Sequence, residues 1–135
     1  GRTEMFTKPH NVLLDVGHNP HAARYLASYL AEHSFDKVYA VVGMLKDKDI
    51  AGTLLSLENQ VYEWFVGTLS VERAALSEEI SSSLKTSTHP INCFDNVTQA
   101  FKMASKNVSS NELVLVFGSF FTVAEIRKLL VEQAN

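Results

Sequence analysis

The sequence predicts a three-layer, Rossmann-like α/β domain. It has a mostly parallel sheet of roughly six strands, one antiparallel edge strand, and helices on both faces. Three observations carry this. Short apolar runs alternate with helical patterns along the chain, as in α/β domains built on a parallel sheet. Those runs are apolar on both faces, as strands covered by helices must be. The opening stretch differs: Arg2–Phe6 and Val12–Asp15 are separated only by Thr7-Lys8-Pro9-His10, which looks like a turn, so the two pair as a hairpin.

In chain order, Asn11–Asp15 (NVLLD) is a short buried strand. Pro20–His33 is a helix with Ala22, Ala23, Leu26, Tyr29 and Leu30 on one face. Lys37–Gly43 is the next strand, Lys48–Leu57 a helix, and Val61–Val66 a strand. Glu72–Leu84 reads as a helix, Ile91–Phe94 as a short strand, Val97–Asn107 as a helix, Glu112–Phe117 as a strand and Thr122–Gln133 as the last helix. No internal repeat or low-complexity segment interrupts the pattern, and Ser81–His89 reads as a polar loop.

The totals bound the function. The 135 residues are enough for one domain with a sizeable core. An apolar fraction of 46% and a charged fraction of 20% are ordinary for a globular domain. Net charge is −3 and no lysine/arginine stripe stands out, which argues against nucleic acid as a partner. No apolar run is long enough to span a bilayer, which argues against a membrane partner. The single cysteine, Cys93, cannot form an internal disulfide, which fits a cytoplasmic setting, and its apolar surroundings (PINCF) predict a small core residue. The chain opens Gly1-Arg2 with no initiator methionine, which is compatible with a domain of a longer protein.

In a sheet of this type ligands bind beyond the carboxyl ends of the strands. Five segments follow those ends: 15–19, 43–49, 67–73, 95–96 and 118–121, and they are expected to line one rim. Asn19-Pro20 is a helix start, with a favoured cap and a favoured first residue. The free N–H groups of that helix point at the loop holding Asp15 and His18, a favourable place for a phosphate or carboxylate. Asp15 could accept from ribose hydroxyls or hold a metal through water, and His18 could donate to a phosphate; equally, Asp15 could cap the loop and His18 be merely exposed. Asp15, His18 and His21 share a three-residue spacing, but Pro20 breaks any continuous helix through them, and no metal site is expected. Asp47 is expected to cap the next helix, with Asp49 in its first turn; Lys48 is open to an anion. Arg73 could be an anion contact, though such a residue is more often a solvated helix residue, and Ser119 either meets a ligand carboxylate or caps the last helix. The six glycines form neither G-x-G-x-x-G nor G-x-x-x-x-G-K-S/T, so the chain has a nucleotide binder's sheet without a phosphate loop.

Several motifs meet one family. LLDVGHNPHAA resembles the D-x-A/G-H-N-P-H-A-A signature of the folylpolyglutamate synthases. GMLKDKDI resembles the segment after that family's second parallel strand, LVLVFGSFFTVAEI its closing strand-to-helix element, and Gly1-Arg2 the start of the first strand of its carboxy-terminal domain. Order and spacing match over essentially the whole chain. The chain is therefore similar, over residues 1–135, to one Mur-ligase-type carboxy-terminal domain, nearest to the bacterial bifunctional dihydrofolate synthase/folylpolyglutamate synthase family.

The resemblance implies an ATP- and Mg²⁺-dependent ligase that joins L-glutamate to dihydropteroate, or to the γ-carboxylate of reduced folates, through an acyl phosphate. It implies a separate amino-terminal domain holding the phosphate loop and the metal ligands, with this domain closing over ATP and helping to place glutamate. Residue by residue, ATP contacts fall on Arg2 and Asp15, the signature histidine near the transferring phosphate on His18, and the glutamate-side serine on Ser119. Many relatives carry histidine where this chain has Phe121. A monomer, inactive as an isolated domain, is expected. The competing readings are a stand-alone, non-catalytic module for small anions, and a Mur-type ligase domain for another amino acid.

Overall fold

Two neighbouring segments, Thr3–Phe6 (β1) and Val12–Asp15 (β2), form an antiparallel hairpin in which Thr3 faces Asp15 and Phe6 faces Val12. The computed structural model describes residues 3–134. After the hairpin come α1 (Pro20–Glu32), β3 (Val38–Val42), α2 (Ile50–Leu55), a 3-10 turn at Glu58–Gln60, β4 (Glu63–Gly67), α3 (Ser77–Ser83), β5 (Ile91–Phe94), α4 (Val97–Ala104), β6 (Leu113–Phe117) and α5 (Phe120–Ala134).

One six-stranded sheet results, in the order β1-β2-β6-β3-β4-β5. All its pairings except β1 with β2 are parallel. The register aligns Asp15, Phe117 and Val42 across β2, β6 and β3. The loops leaving those three strands therefore emerge side by side. The sequence-based expectation of a mixed sheet with one antiparallel edge strand and helices on both faces holds.

Alternation along the strands makes two cores. Leu113, Leu115 and Phe117 of β6 face one way, with Leu13, Ala40, Trp64 and the buried residues of α1, α2 and α3. Val114 and Val116 face the other way, with Leu14, Val41, Phe65 and the buried apolar residues of α4 and α5. Every residue of β2 and of β6 is buried. This is the burial expected of central strands covered on both faces, and it is why these runs read as continuously apolar.

Three helices start elsewhere than expected. The predicted helix from Glu72 begins only at Ser77, because residues 73–75 are engaged elsewhere: Lys46 N–H donates to the Arg73 carbonyl at 2.8 Å, and Ala75 N–H donates to the Met44 carbonyl at 2.9 Å. The predicted helix from Lys48 starts at Ile50, because Asp49 is its cap and accepts from Gly52 N–H at 3.0 Å; Asp47 instead pairs with Arg73. The last helix begins two residues earlier than expected, at Phe120. Cys93 is exposed rather than buried in the core, because β5 is an edge strand. An edge strand lacks a neighbour and full cover on one side, which an apolar tetrad in the sequence does not reveal.

Candidate functional site

The loop after β2 is built by local hydrogen bonds. Asp15 turns its carboxylate back onto the chain and accepts from Gly17 N–H at 2.7 Å. A Cβ at Gly17 would lie 2.8 Å from that carboxylate and 2.9 Å from Ala22 Cβ, so only glycine fits without displacing one of them. Asn19 caps α1 through Ala22 N–H at 2.8 Å, and Pro20 occupies the first helical turn, as expected from sequence. Gly118 N–H donates to the Gly17 carbonyl at 3.1 Å, which ties this loop to the loop after β6.

Gly118 has φ +117°, and a Cβ there would sit 2.6 Å from the Gly43 carbonyl oxygen. The loops after β2, β6 and β3 thus approach more closely than side chains allow. Thr122 reinforces the junction from α5, its buried hydroxyl donating to the Gly43 carbonyl at 2.7 Å.

Two clefts open at this rim. The larger, about 410 Å³, is lined by Asp15, Gly17, His18, His21 and Tyr25 among others. The smaller, about 140 Å³, is lined by His18, Leu45, Lys48 and the segment 118–121. His18 belongs to both, so its imidazole stands between them. Its Nδ1 lies 3.4 Å from the Val16 carbonyl, and the side chain is exposed.

Asp15 is only 8% exposed. Burial raises its pKa above the ordinary carboxylate value, and the Gly17 N–H partly offsets this. A carboxylate so placed gains from any ligand that brings hydroxyl donors or positive charge. Ser119 is also buried, and its Oγ accepts from Phe121 N–H at 3.0 Å. Its hydroxyl hydrogen stays available to a ligand acceptor in the smaller cleft. Ser119 thus caps the last helix and lines a cleft, so both of its expected roles are compatible.

Among the residues singled out by sequence, Asp15, His18 and Ser119 meet at one rim. Lys48 joins them, half-buried in the smaller cleft. Arg2 lies outside the described residues. Arg73 is not helical but stands in the loop after β4, its guanidinium 2.9 Å from the Asp47 carboxylate in an exposed pair. Sequence reasoning missed Tyr25 and passed over His21 as anything but a metal candidate. The available signal was their spacing of four on a helix whose N-terminus opens into the rim.

Fold and rim together define a parallel-sheet α/β domain with a ligand site at the strand carboxyl ends. The chain belongs to the Mur ligase, glutamate ligase domain family, whose profile matches residues 1–120. It is 39% identical over 131 residues to the dihydrofolate synthase/folylpolyglutamate synthase of Escherichia coli, covering 96% of this chain and 30% of that protein. It is 42% identical over 123 residues to the Haemophilus influenzae protein of the same name, covering 84% and 27%. Among solved structures, E. coli FolC in complex with DHPP and ADP superposes with a TM-score of 0.90 at 37% identity, over 100% of this chain and 32% of that one. A bifunctional folylpolyglutamate synthase/dihydrofolate synthase with Mn, AMPPNP and L-glutamate bound superposes with a TM-score of 0.87 at 40% identity, over 97% and 31%. The chain thus spans about a third of the length of the relatives it matches.

Proposed function

We propose that this chain is the carboxy-terminal domain of an ATP-dependent ligase that adds L-glutamate to dihydropteroate and to the γ-carboxylate of folates. It would supply the half of the active site that closes over ATP and positions glutamate. The observation that carries this reading is the meeting of Asp15, His18 and Ser119 at one rim, with His18 between two clefts. Relatives solved with ADP, AMPPNP and L-glutamate support it.

In the reaction, the γ-phosphoryl group of ATP passes to the acceptor carboxylate, giving an acyl phosphate and ADP. The glutamate amine attacks the acyl carbon, loses a proton, and inorganic phosphate leaves. Such chemistry depends mostly on positioning and electrostatics. Asp15 accepts from the ribose hydroxyls. His18 donates to a phosphate oxygen near the N-terminus of α1, where the helix dipole also favours negative charge. Ser119 donates to a glutamate carboxylate, and Arg2 is assigned to ATP by family resemblance alone.

Mg²⁺ would neutralise charge on the transferring phosphate. Among the described residues no cluster of three His, Cys, Asp or Glu side chains is placed to hold a metal. Its ligands are assigned, by family resemblance, to an amino-terminal domain, together with the phosphate loop. The ligase is proposed to act as a cytoplasmic monomer. No described helix is long and apolar enough to cross a membrane. Alone, the domain is expected to be inactive and to hold ATP weakly.

The test joins the domain to its amino-terminal partner and measures ATP- and glutamate-dependent folate ligation. His18→Ala is expected to lower kcat about a hundredfold, the scale of losing one aimed donor to developing charge. Asp15→Ala is expected to raise the KM for ATP about tenfold. Unchanged rates in both variants would remove the site assignment.

A further inference from the structure

Hydroxyl groups in or beside the helices of this fold mostly donate within their own segment. Ser28, Thr53 and Ser56 each donate to the carbonyl four residues earlier. Thr122, in the first turn of α5, does not. Its side chain is fully buried, and its hydroxyl crosses 79 positions of sequence to donate to the Gly43 carbonyl at 2.7 Å. A buried acceptor left without its donor is costly, so this bond fixes where the two segments sit. The space around it is tight: a Cβ at Gly43 would lie 3.0 Å from the Thr122 hydroxyl oxygen and 2.6 Å from the Val97 side chain.

The two clefts of the rim are built differently. The larger is lined from one continuous stretch, 15–25, which holds its shape through the Asp15–Gly17 and Asn19–Ala22 bonds of its own. The smaller has two walls: Leu45 and Lys48 from the loop after β3, and residues 118–121 at the entry to α5, with His18 beside them. Beyond the ends of β3 and β6, and among the described residues, the Thr122–Gly43 hydrogen bond is the one that joins these walls. Ser119 lies on the α5 wall three residues before Thr122, its Oγ held by Phe121 N–H at 3.0 Å. We propose that Thr122 is a positioning residue for the amino-acid half of the ligation: its hydroxyl sets the width of the smaller cleft, and with it the affinity for glutamate, without touching the substrate. This rests on the reading that glutamate occupies that cleft. Useful donor–acceptor distances span only about 0.5 Å, so a small widening parts a bound carboxylate from a donor on one wall.

The experiment uses the domain joined to its amino-terminal partner. It measures kcat and the KM values for glutamate and ATP in the parent, Thr122→Val, Thr122→Ser and Ser119→Ala. Valine keeps the branched shape of threonine and lacks the donor; serine keeps the donor. Thr122→Val is expected to raise the glutamate KM about tenfold, the scale of one buried hydrogen bond, with the ATP KM held within about twofold. Thr122→Ser is expected to keep the parent's glutamate KM. A variant that merely folds less well loses kcat through its smaller active fraction and keeps both KM values, and that result for Thr122→Val overturns the proposal. Equal rises in both KM values overturn it too. So does a raised glutamate KM in Thr122→Ser, whether or not the valine variant folds. Ser119→Ala separates the inference from the reading beneath it. If Ser119→Ala raises the glutamate KM and Thr122→Val does not, the positioning role fails and the glutamate site stands; if neither moves it, both fail.

Discussion

Asp15 carries the cost of the site at the scale of a single residue. Its raised pKa means that the folded state binds a proton more tightly than the unfolded state does. The corresponding stability is fully present below the ordinary carboxylate value of 3.8 and is lost as pH rises through the folded value. Ionised Asp15 therefore weakens the fold at neutral pH. Asp15→Asn keeps an oxygen for the Gly17 N–H and removes the buried charge. It is expected to melt higher than the parent at pH 7, with the difference vanishing near about pH 3, where both states of the parent are protonated. A thermal melt series across pH checks this; a variant that melts lower at pH 7 would contradict it. Gly118 is the second single-residue test. Gly118→Ala must place a Cβ 2.6 Å from the Gly43 carbonyl at φ +117°, and is expected to cost about 1–3 kcal/mol by urea denaturation, from backbone strain alone. These residues were legible to different degrees. Asp15 and His18 stand out beside an Asn-Pro helix start, but the burial of Asp15 depends on neighbouring strands and could not be read locally.

Elements were legible where their signals are local. Asn19 and Pro20 mark the start of α1 correctly, because a capping side chain needs only the next three residues. The start of α3 was not legible, since the chain before it is held by residues 44–46 and not by its own sequence. Asp49, expected in the first turn of α2, is its cap, and Asp47, expected as the cap, pairs with Arg73 instead; two acids precede one helix, and their spacing alone does not choose between them. The hairpin turn supplies a prediction at this scale. His10 stacks on Phe101 of α4 with centroids 6.2 Å apart, and its Nε2 is buried without a partner among the described residues. Burial lowers its pKa from 6.5, so the unfolded chain takes up a proton first. Stability present above pH 6.5 is then lost as pH falls toward the folded value. His10→Phe is expected to flatten that part of the stability profile. Parent and variant denaturation curves between pH 7 and pH 5 decide the matter, and parallel slopes would refute it.

For the whole molecule, the alternation of strands and helices was enough to reach the sheet, because periodicity and two-sided apolar strands are global features of the sequence. What it could not supply was the exposed edge at β5, where Cys93 lies, or the close approach at Gly118 that leaves no room for a Cβ. Those depend on strand order, β1-β2-β6-β3-β4-β5, which places the loops after β2, β6 and β3 next to one another. The same order makes the rim one-sided: Asp15, His18 and Ser119 face a space that the described residues do not enclose. A second domain supplying a phosphate loop would close it, in keeping with relatives about three times as long as this chain. The most direct measurement is a structure of the domain joined to its amino-terminal partner with a non-hydrolysable ATP analogue and L-glutamate. The expected result is ribose on Asp15, the terminal phosphate near His18 and the glutamate carboxylate at Ser119. A nucleotide bound away from this rim, with Asp15 and His18 facing solvent in the closed enzyme, would contradict the account.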